Sequence, residues 1–484
     1  MSKIIFVWPP MFSEERYGVI GSAGSYMPPL GIGILASVAR NHGYDTRILD
    51  CEARQLDHEQ SAKEILNFNP DYVGISSTTL GIFSAAKLAR KLRGEQKDSK
   101  IIIGGPHITA IPQETMNLFP DFDIAVIGEG ERTIIELLYA LENGSNLEKV
   151  DGIVFRENGS LYQTNRRALM QSLDDEVPFP AWDLFPNLTT AYRPPVFSFN
   201  RLPAMSIITS RGCPMECTFC DRSVFGKVCR AHSPEYVFNM IKFLKDSYGI
   251  KDIMIYDDTF VAFRKLLIGL CERLMESKMD IRWSCNGRVD MVNPRILELM
   301  RQAGCWQIAY GIESGYQGIL DLMGKRTDLN TIERAIKWTK EAKIKSKGYF
   351  MLGFPSENKE TIEKTIEFML KLDLDDVHIS LFTPFPNTEA YYLARDSGML
   401  DDDWSKMSQW NPVFVPGELE NGDLERYLKL AVRKFYLRKR IALSYASMIR
   451  RPEHVKNILR GLHAFTKLML HNKQRGKRVN GRGY

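Results

Sequence analysis

Ser210-Arg-Gly-Cys213-Pro-Met-Glu-Cys217-Thr-Phe-Cys220-Asp221 follows directly on Met205–Thr209, an apolar run of strand character. Three thiols therefore lie on one loop at the carboxyl end of a strand, where they can converge on a single inorganic centre. Iron–sulfur clusters ordinarily take four protein thiolates, so a Cys-x3-Cys-x2-Cys loop would leave one iron open to another ligand. The alternative is structural zinc, which wants four protein ligands. No fourth Cys or His of finger spacing follows, Cys229 being the nearest thiol.

Downstream of this loop the chain alternates strands and helices to about residue 390. Strands are expected at Asp252–Tyr256, Ile281–Ser284, Gln307–Tyr310, Gly348–Leu352 and Val377–Leu381. With Met205–Thr209 these make six βα units, enough for a partial (β/α)6 barrel whose reactive groups sit beyond the carboxyl ends of its strands. Polar residues fall at those ends: Tyr256-Asp257-Asp258-Thr-Phe260, Asn286-Gly-Arg288 and Gly311-Ile-Glu313-Ser314-Gly315.

The cysteine spacing, with Phe219 just before the last thiol, resembles the radical S-adenosylmethionine (SAM) superfamily. The resemblance implies a [4Fe-4S] cluster on Cys213, Cys217 and Cys220, with SAM on the open iron. The family cleaves SAM reductively to methionine and a 5′-deoxyadenosyl radical that abstracts a substrate hydrogen. It further implies that Asp257 or Asp258 accepts from the SAM amino group and that Asn286 and Arg288 meet the carboxylate. Glu313 and Ser314 would contact SAM or its ribose. Gly348-Tyr-Phe-Met-Leu-Gly353-Phe-Pro-Ser-Glu357 matches the family's fifth strand, whose apolar residues flank adenine. Glu357 has a helix-start role as its alternative.

Residues 1–150 also read as a parallel α/β sheet, with strands at Ile4–Trp8, Asp45–Asp50, Tyr72–Ser76, Lys100–Ile103 and Ile124–Ile127 and helices between them. Their ends are rich in Gly and Ser, and ligands of doubly wound sheets bind beyond such ends. Together with Met27-Pro-Pro-Leu30-Gly-Ile-Gly33 opening a helix, these turns make residues 1–140 similar to a cobalamin-binding domain. The full match, over residues 1 to about 440, is to cobalamin-dependent radical SAM proteins related to the anaerobic magnesium-protoporphyrin ester cyclase. Contact with the corrinoid is expected at Ser76, Ser77, Gly104, Gly105, Gly128 and Glu129, because small residues allow close backbone approach. Where the usual cobalamin fold carries Asp-x-His with the histidine on cobalt, this chain has Asp50-Cys-Glu-Ala-Arg54. A base-off corrinoid without a histidine ligand is implied, and His107 reads as a turn residue.

The expected organisation is a flavodoxin-like, Rossmann-like domain at 1–145, a proline-rich connector at 146–200, the barrel at 201–395 and a helical basic region at 396–484. A chain of 484 residues suits more than one domain. No apolar run reaches the roughly 20 residues that span a bilayer, and the first ten residues read as a strand and not a signal peptide. Eight cysteines, three of them clustered, favour metal ligation in a reducing cytoplasm over a disulfide framework. The other five read as buried small hydrophobes.

The net charge of +5 is uneven: residues 431–484 hold fifteen Lys and Arg against one acid, Glu453, so the rest of the chain is net negative. The stretch from Lys434-Phe-Tyr-Leu-Arg-Lys-Arg440 through Met448-Ile-Arg-Arg451 to Leu468-Met-Leu470 mixes apolar and basic residues as interfacial helices do, and Lys473–Tyr484 reads as a frayed end. It is either a membrane-surface contact or a helical cap under the barrel. No aromatic stacking platform accompanies it, which disfavours nucleic acid.

The expected reaction is methyl transfer from methylcobalamin to an unactivated carbon of a small-molecule, lipid or tetrapyrrole substrate, with electrons from a flavodoxin or ferredoxin. Oxidative cyclisation and a noncatalytic corrinoid carrier are the rivals. No catalytic side chain is legible.

Overall fold

The computed structural model describes residues 1–95, 98–447 and 452–471. Met448–Arg451 and Lys473–Tyr484 of the basic tail lie outside them.

The first sheet takes its order from five parallel strands: β1 (Lys3–Trp8), β2 (Asp45–Asp50), β3 (Tyr72–Ser76), β4 (Lys100–Gly104) and β5 (Ile124–Val126). They run in the order β2-β1-β3-β4-β5, the flavodoxin-like arrangement. Both faces are covered, so the strands are apolar throughout: Ile4 and Phe6 pack on one side, Ile5 and Val7 on the other. Two further strands, β6 (Ile153–Glu157) and β7 (Ser160–Gln163), continue the sheet antiparallel from β5. The first part of the expected connector is thus a hairpin that forms the sheet's own edge, because Ile153, Val154 and Phe155 are buried against it.

The second unit opens with β8 (Ala204–Ile207), followed by a short antiparallel pair, β9 (Ser210–Arg211) and β10 (Arg230–Ala231), that brackets the cysteine loop. Then come β11 (Asp252–Ile255), β12 (Arg282–Gly287), β13 (Cys305–Glu313), β14 (Lys345–Leu352) and β15 (Asp376–Leu381). With β8 they form one six-stranded parallel sheet, β15-β14-β13-β12-β11-β8, the expected partial barrel. Its crossover helices start where the sequence supplies a cap. Ser233, Asn293, Asp328 and Asn358 each accept the backbone N–H three residues on, and Pro234 and Pro294 occupy the first turn, where no N–H is needed.

After the barrel the chain does not become uniformly helical, as the basic tail had suggested. A two-stranded pair, Gly398–Leu400 with Phe414–Pro416, flanks a loop that crosses back to the first sheet. There Trp404, Met407 and Val413 complete its outer core, the Trp404 ring lying 4.6 Å from that of His107 and 6.3 Å from Phe83. Only then do helices Asp423–Tyr436, Lys439–Ser447 and Pro452–Leu470 follow. Trp404→Ala opens this seam, and the loss of a buried tryptophan should cost about 3–5 kcal/mol, read as an earlier midpoint in urea denaturation.

Candidate functional site

The cysteine loop is pinned on all sides. Gly212 has φ +84° and packs so closely on the Val228 carbonyl that a side chain there has no room. Thr218 N–H donates to the Met323 carbonyl at 3.0 Å, and Arg222 Nη1 to the Met215 carbonyl at 2.6 Å. Burial, then Asp258 and the other two thiols, pushes the Cys220 thiol up to about 12, and burial likewise raises Cys213. A thiolate on this loop therefore needs a cation beside it to form. A cubane presents separate iron corners to separate thiolates, so three thiols on one loop can hold it without meeting at a single point.

Two cavities flank β8 and β11. The larger, about 1300 Å³, fills the barrel lumen; Cys220, Asn286 and Glu313 line its upper end. Glu313, at φ +67°, accepts from Lys325 Nζ at 2.8 Å. A Cβ on Gly311 would lie 2.5 Å from Glu313 Oε1 and 2.8 Å from Lys325 Nζ, so a side chain there would push the ends of this buried pair aside. Arg288 is held by Asp290, at 3.0 and 3.1 Å, and by the Lys325 carbonyl at 2.7 Å.

The two acids after β11 separate cleanly. Asp257 is buried and accepts from Thr209 N–H at 2.6 Å and from the hydroxyls of Thr209 and Ser210 at 2.5 and 2.6 Å. It staples the cysteine loop to β11, its three hydrogen bonds all going to Thr209 and Ser210. Asp258 makes none of these bonds, and its charge adds to the rise of the Cys213 and Cys220 thiols. Ser314 is fully buried, its Oγ 3.0 Å from Thr365 Oγ1 and accepting from Tyr316 N–H. Glu357 sits under Gly353-Phe354, whose N–H groups donate to it at 2.6 and 3.1 Å, while Asn358 caps the helix that follows.

The smaller cavity, about 520 Å³, lies between the first sheet's carboxyl ends and the barrel. Ser76, Gly104, Gly105 and Gly128 line it. Gly105, at φ +103°, leaves no room for a Cβ beside Ser77, whose carbonyl oxygen would be 2.6 Å away. Ser77 itself is buried with its hydroxyl donating to Thr78 O, so it shapes the turn and does not face the cavity. Glu129 lines the cavity, but its carboxylate is committed to Arg211 and Arg230. His107, expected in a turn, lies instead in the short helix Pro106–Ala110, buried between Thr79 and Thr115 at 3.2 Å each and pushed down to about 4 by burial. Glu52, in the place of the usual histidine, accepts from Trp8 Nε1 and Arg16.

One side chain, Tyr256, lines both cavities. It is 39% accessible, and that surface looks into the interior.

Much of the lumen was not legible in the sequence. The inward stripes Lys347-Tyr349-Met351 of β14 and Asp376-His378-Ser380 of β15 line it from bottom to top. Lys347 pairs with Asp376 at 3.0 Å, and Tyr436 and Tyr445 donate to the same carboxylate at 2.8 and 3.1 Å. Burial, with Lys347 beside it, pushes His378 down to about 4. Period-two alternation was the available signal.

Residues 207–369 match the radical SAM superfamily model and residues 17–138 the B12 binding domain. The chain belongs to the cobalamin-dependent radical SAM enzymes. An uncharacterized methyltransferase of Pyrococcus horikoshii is 35% identical over 91% of this chain and 94% of its own. The anaerobic magnesium-protoporphyrin IX monomethyl ester cyclase of Cereibacter sphaeroides is 27% identical over 90% of this chain and 71% of its own. The cobalamin-dependent radical SAM enzyme OxsB, solved with aqua-cobalamin and SAM, shares the fold at a TM-score of 0.75 and 16% identity, covering 97% of this chain and 72% of that one. The cofactors of this radical SAM enzyme are accordingly a [4Fe-4S] cluster, SAM and cobalamin.

Glu357 supplies a pH test. Burial raises its carboxyl to about 7, so the protonated form is favoured in the fold. Its contribution is complete below the ordinary carboxylate range and is lost as pH rises through 7. Between pH 5 and 8 the wild type should lose about 2 kcal/mol more stability than Glu357→Gln, measured by denaturation at each pH.

Proposed function

We propose that this enzyme transfers a methyl group to an unactivated carbon of a lipid, tetrapyrrole or other small molecule, with a flavodoxin or ferredoxin as electron donor. The observation that carries the reading is the meeting of the two cavities at Tyr256, which lines both. When bound, the cluster supplies reductive cleavage of SAM and the corrinoid a transferable methyl group.

The chain's own residues bind, orient and exclude water. Cys213, Cys217 and Cys220 hold the cluster. Asp258 accepts from the SAM amino group, Asn286 and the Arg288 guanidinium meet its carboxylate, and Glu313, braced by Lys325, orients the remainder. Ser76, Gly104, Gly105 and Gly128 take the corrinoid face, with Glu129 contributing backbone only. The apolar lumen keeps water from a reactive substrate. Tyr256 separates two ligands that must come close only along one line, and this positioning is what the protein adds.

Anaerobic reconstitution with hydroxocobalamin and methyl-labelled SAM tests the reading. Product carrying the labelled methyl group supports it; oxidised or ring-closed product without label would assign the cyclase chemistry of the ester cyclase relative. Gly311→Ala should weaken SAM binding about tenfold or more while leaving iron content unchanged, since its Cβ displaces Glu313 and Lys325 but touches no cysteine.

A further inference from the structure

A partial barrel is open along one side, and its lumen must be closed by something else. Here the segment Tyr17–Ser25 and the last helix, Pro452–Leu470, do so: Arg460 Nη2 donates to the Gly24 carbonyl at 2.9 Å, and Ile458, Phe465 and Leu468 line the lumen. That accounts for one face of the helix.

Among the described residues, nothing covers the opposite face. Val455, Leu459, Leu462, Thr466 and Leu470 recur at three- and four-residue spacing and stay exposed, Leu459 at 61% and Leu470 at 75%. Leu437 and Leu443, in and beside the neighbouring helix Lys439–Ser447, are 66% and 70% exposed. Large apolar side chains gathered on one face mark an interaction surface. Exposed cations stand on these helices, Lys439, Lys456 and Lys467, and on the helix before them, Arg433 and Lys434, in a region with fifteen basic residues and one acid. Among the described residues, no helix is long and apolar enough to cross a membrane.

Two of these exposed leucines, Leu437 and Leu462, also line the lumen. The bare apolar face and the mouth of the cavity are therefore continuous. A leucine stripe in a region of exposed lysine and arginine matches the boundary between acyl chains and anionic headgroups, each cation near such a surface adding about 1 kcal/mol.

We propose that the outer face of helices Lys439–Ser447 and Pro452–Leu470 docks on an anionic bilayer surface and opens the lumen onto it. The enzyme lies on the membrane without spanning it, and a membrane-dissolved, largely hydrocarbon substrate reaches the barrel without crossing water. The docking face stands on surface geometry; only the substrate class rests on the methyl-transfer reading.

The test is anaerobic flotation of the full-length reconstituted enzyme with vesicles of equal parts phosphatidylglycerol and phosphatidylcholine. The wild type should rise with the vesicles, and the double variant Leu459→Glu, Leu470→Glu should bind about tenfold less. Neither leucine lines the lumen, so deoxyadenosine formation and far-UV circular dichroism should match the wild type. As a measurement independent of any variant, the vesicles should slow amide hydrogen exchange across residues 455–470. A wild type that stays at the bottom of the gradient, a double variant that floats equally well, or unchanged exchange in 455–470 overturns the proposal. Vesicle binding without SAM cleavage would keep the docking face and remove the catalytic reading; cleavage without vesicle binding would do the reverse.

Discussion

The two halves of the molecule are tied by a buried charge cluster. Glu129, in the turn after β5, accepts from Arg211 Nη1 at 2.8 Å and pairs with Arg230 Nη1 at 2.8 Å; Glu131 accepts from Arg211 Nη2 at 2.5 Å. All four side chains are nearly inaccessible. Burial alone would push the Glu129 carboxyl up, but the two arginines outweigh it and hold it below the usual carboxylate range. Such a cluster need not stabilise the fold relative to a well-packed apolar joint, yet losing one member strands a buried charge. Its geometry is thereby specified.

Its location makes the constraint consequential. Arg211 precedes the first cysteine by two residues, and Arg211 and Arg230 are the β9–β10 pair that brackets the cysteine loop. Glu129 belongs to the turn that lines the smaller cavity. A single set of ion pairs therefore sets the distance between the corrinoid side and the cluster side. Asp257 extends the same logic inward by tying the loop to β11, and the loop carrying Trp404 returns to brace the first sheet. A protein that must bring separate cofactors together gains more from rigid seams than from a larger core.

Local chemistry was readable ahead of the structure. The cysteine spacing, the strand-end glycines and the absence of a histidine at Glu52 are properties of short stretches, and the two parallel sheets follow from apolar strands alternating with capped helices. Division of labour within a motif was not readable. Asp257 and Asp258 are adjacent and chemically identical, and only the position of Thr209 and Ser210 turns one into a staple. Ser77 was expected at a ligand for its small size and Ser314 from the family resemblance, yet a small polar side chain equally suits a buried turn. Lys325, Lys347 and His378 went unrecognised because lysine and histidine carry no motif of their own; each acquires its meaning from a partner on another element.

Sequence order alone settled which residue types stand at each strand end, and with them the fold class and cofactor set, because backbone propensity and motif spacing are local. Tertiary packing alone settled which of those residues face a cavity. It also made Tyr256 common to both cavities, and it set one face of the last helix against the lumen and left the other bare. Burial and pairing depend on residues hundreds of positions apart, as Arg460 on Gly24 does, and no local pattern encodes such a meeting.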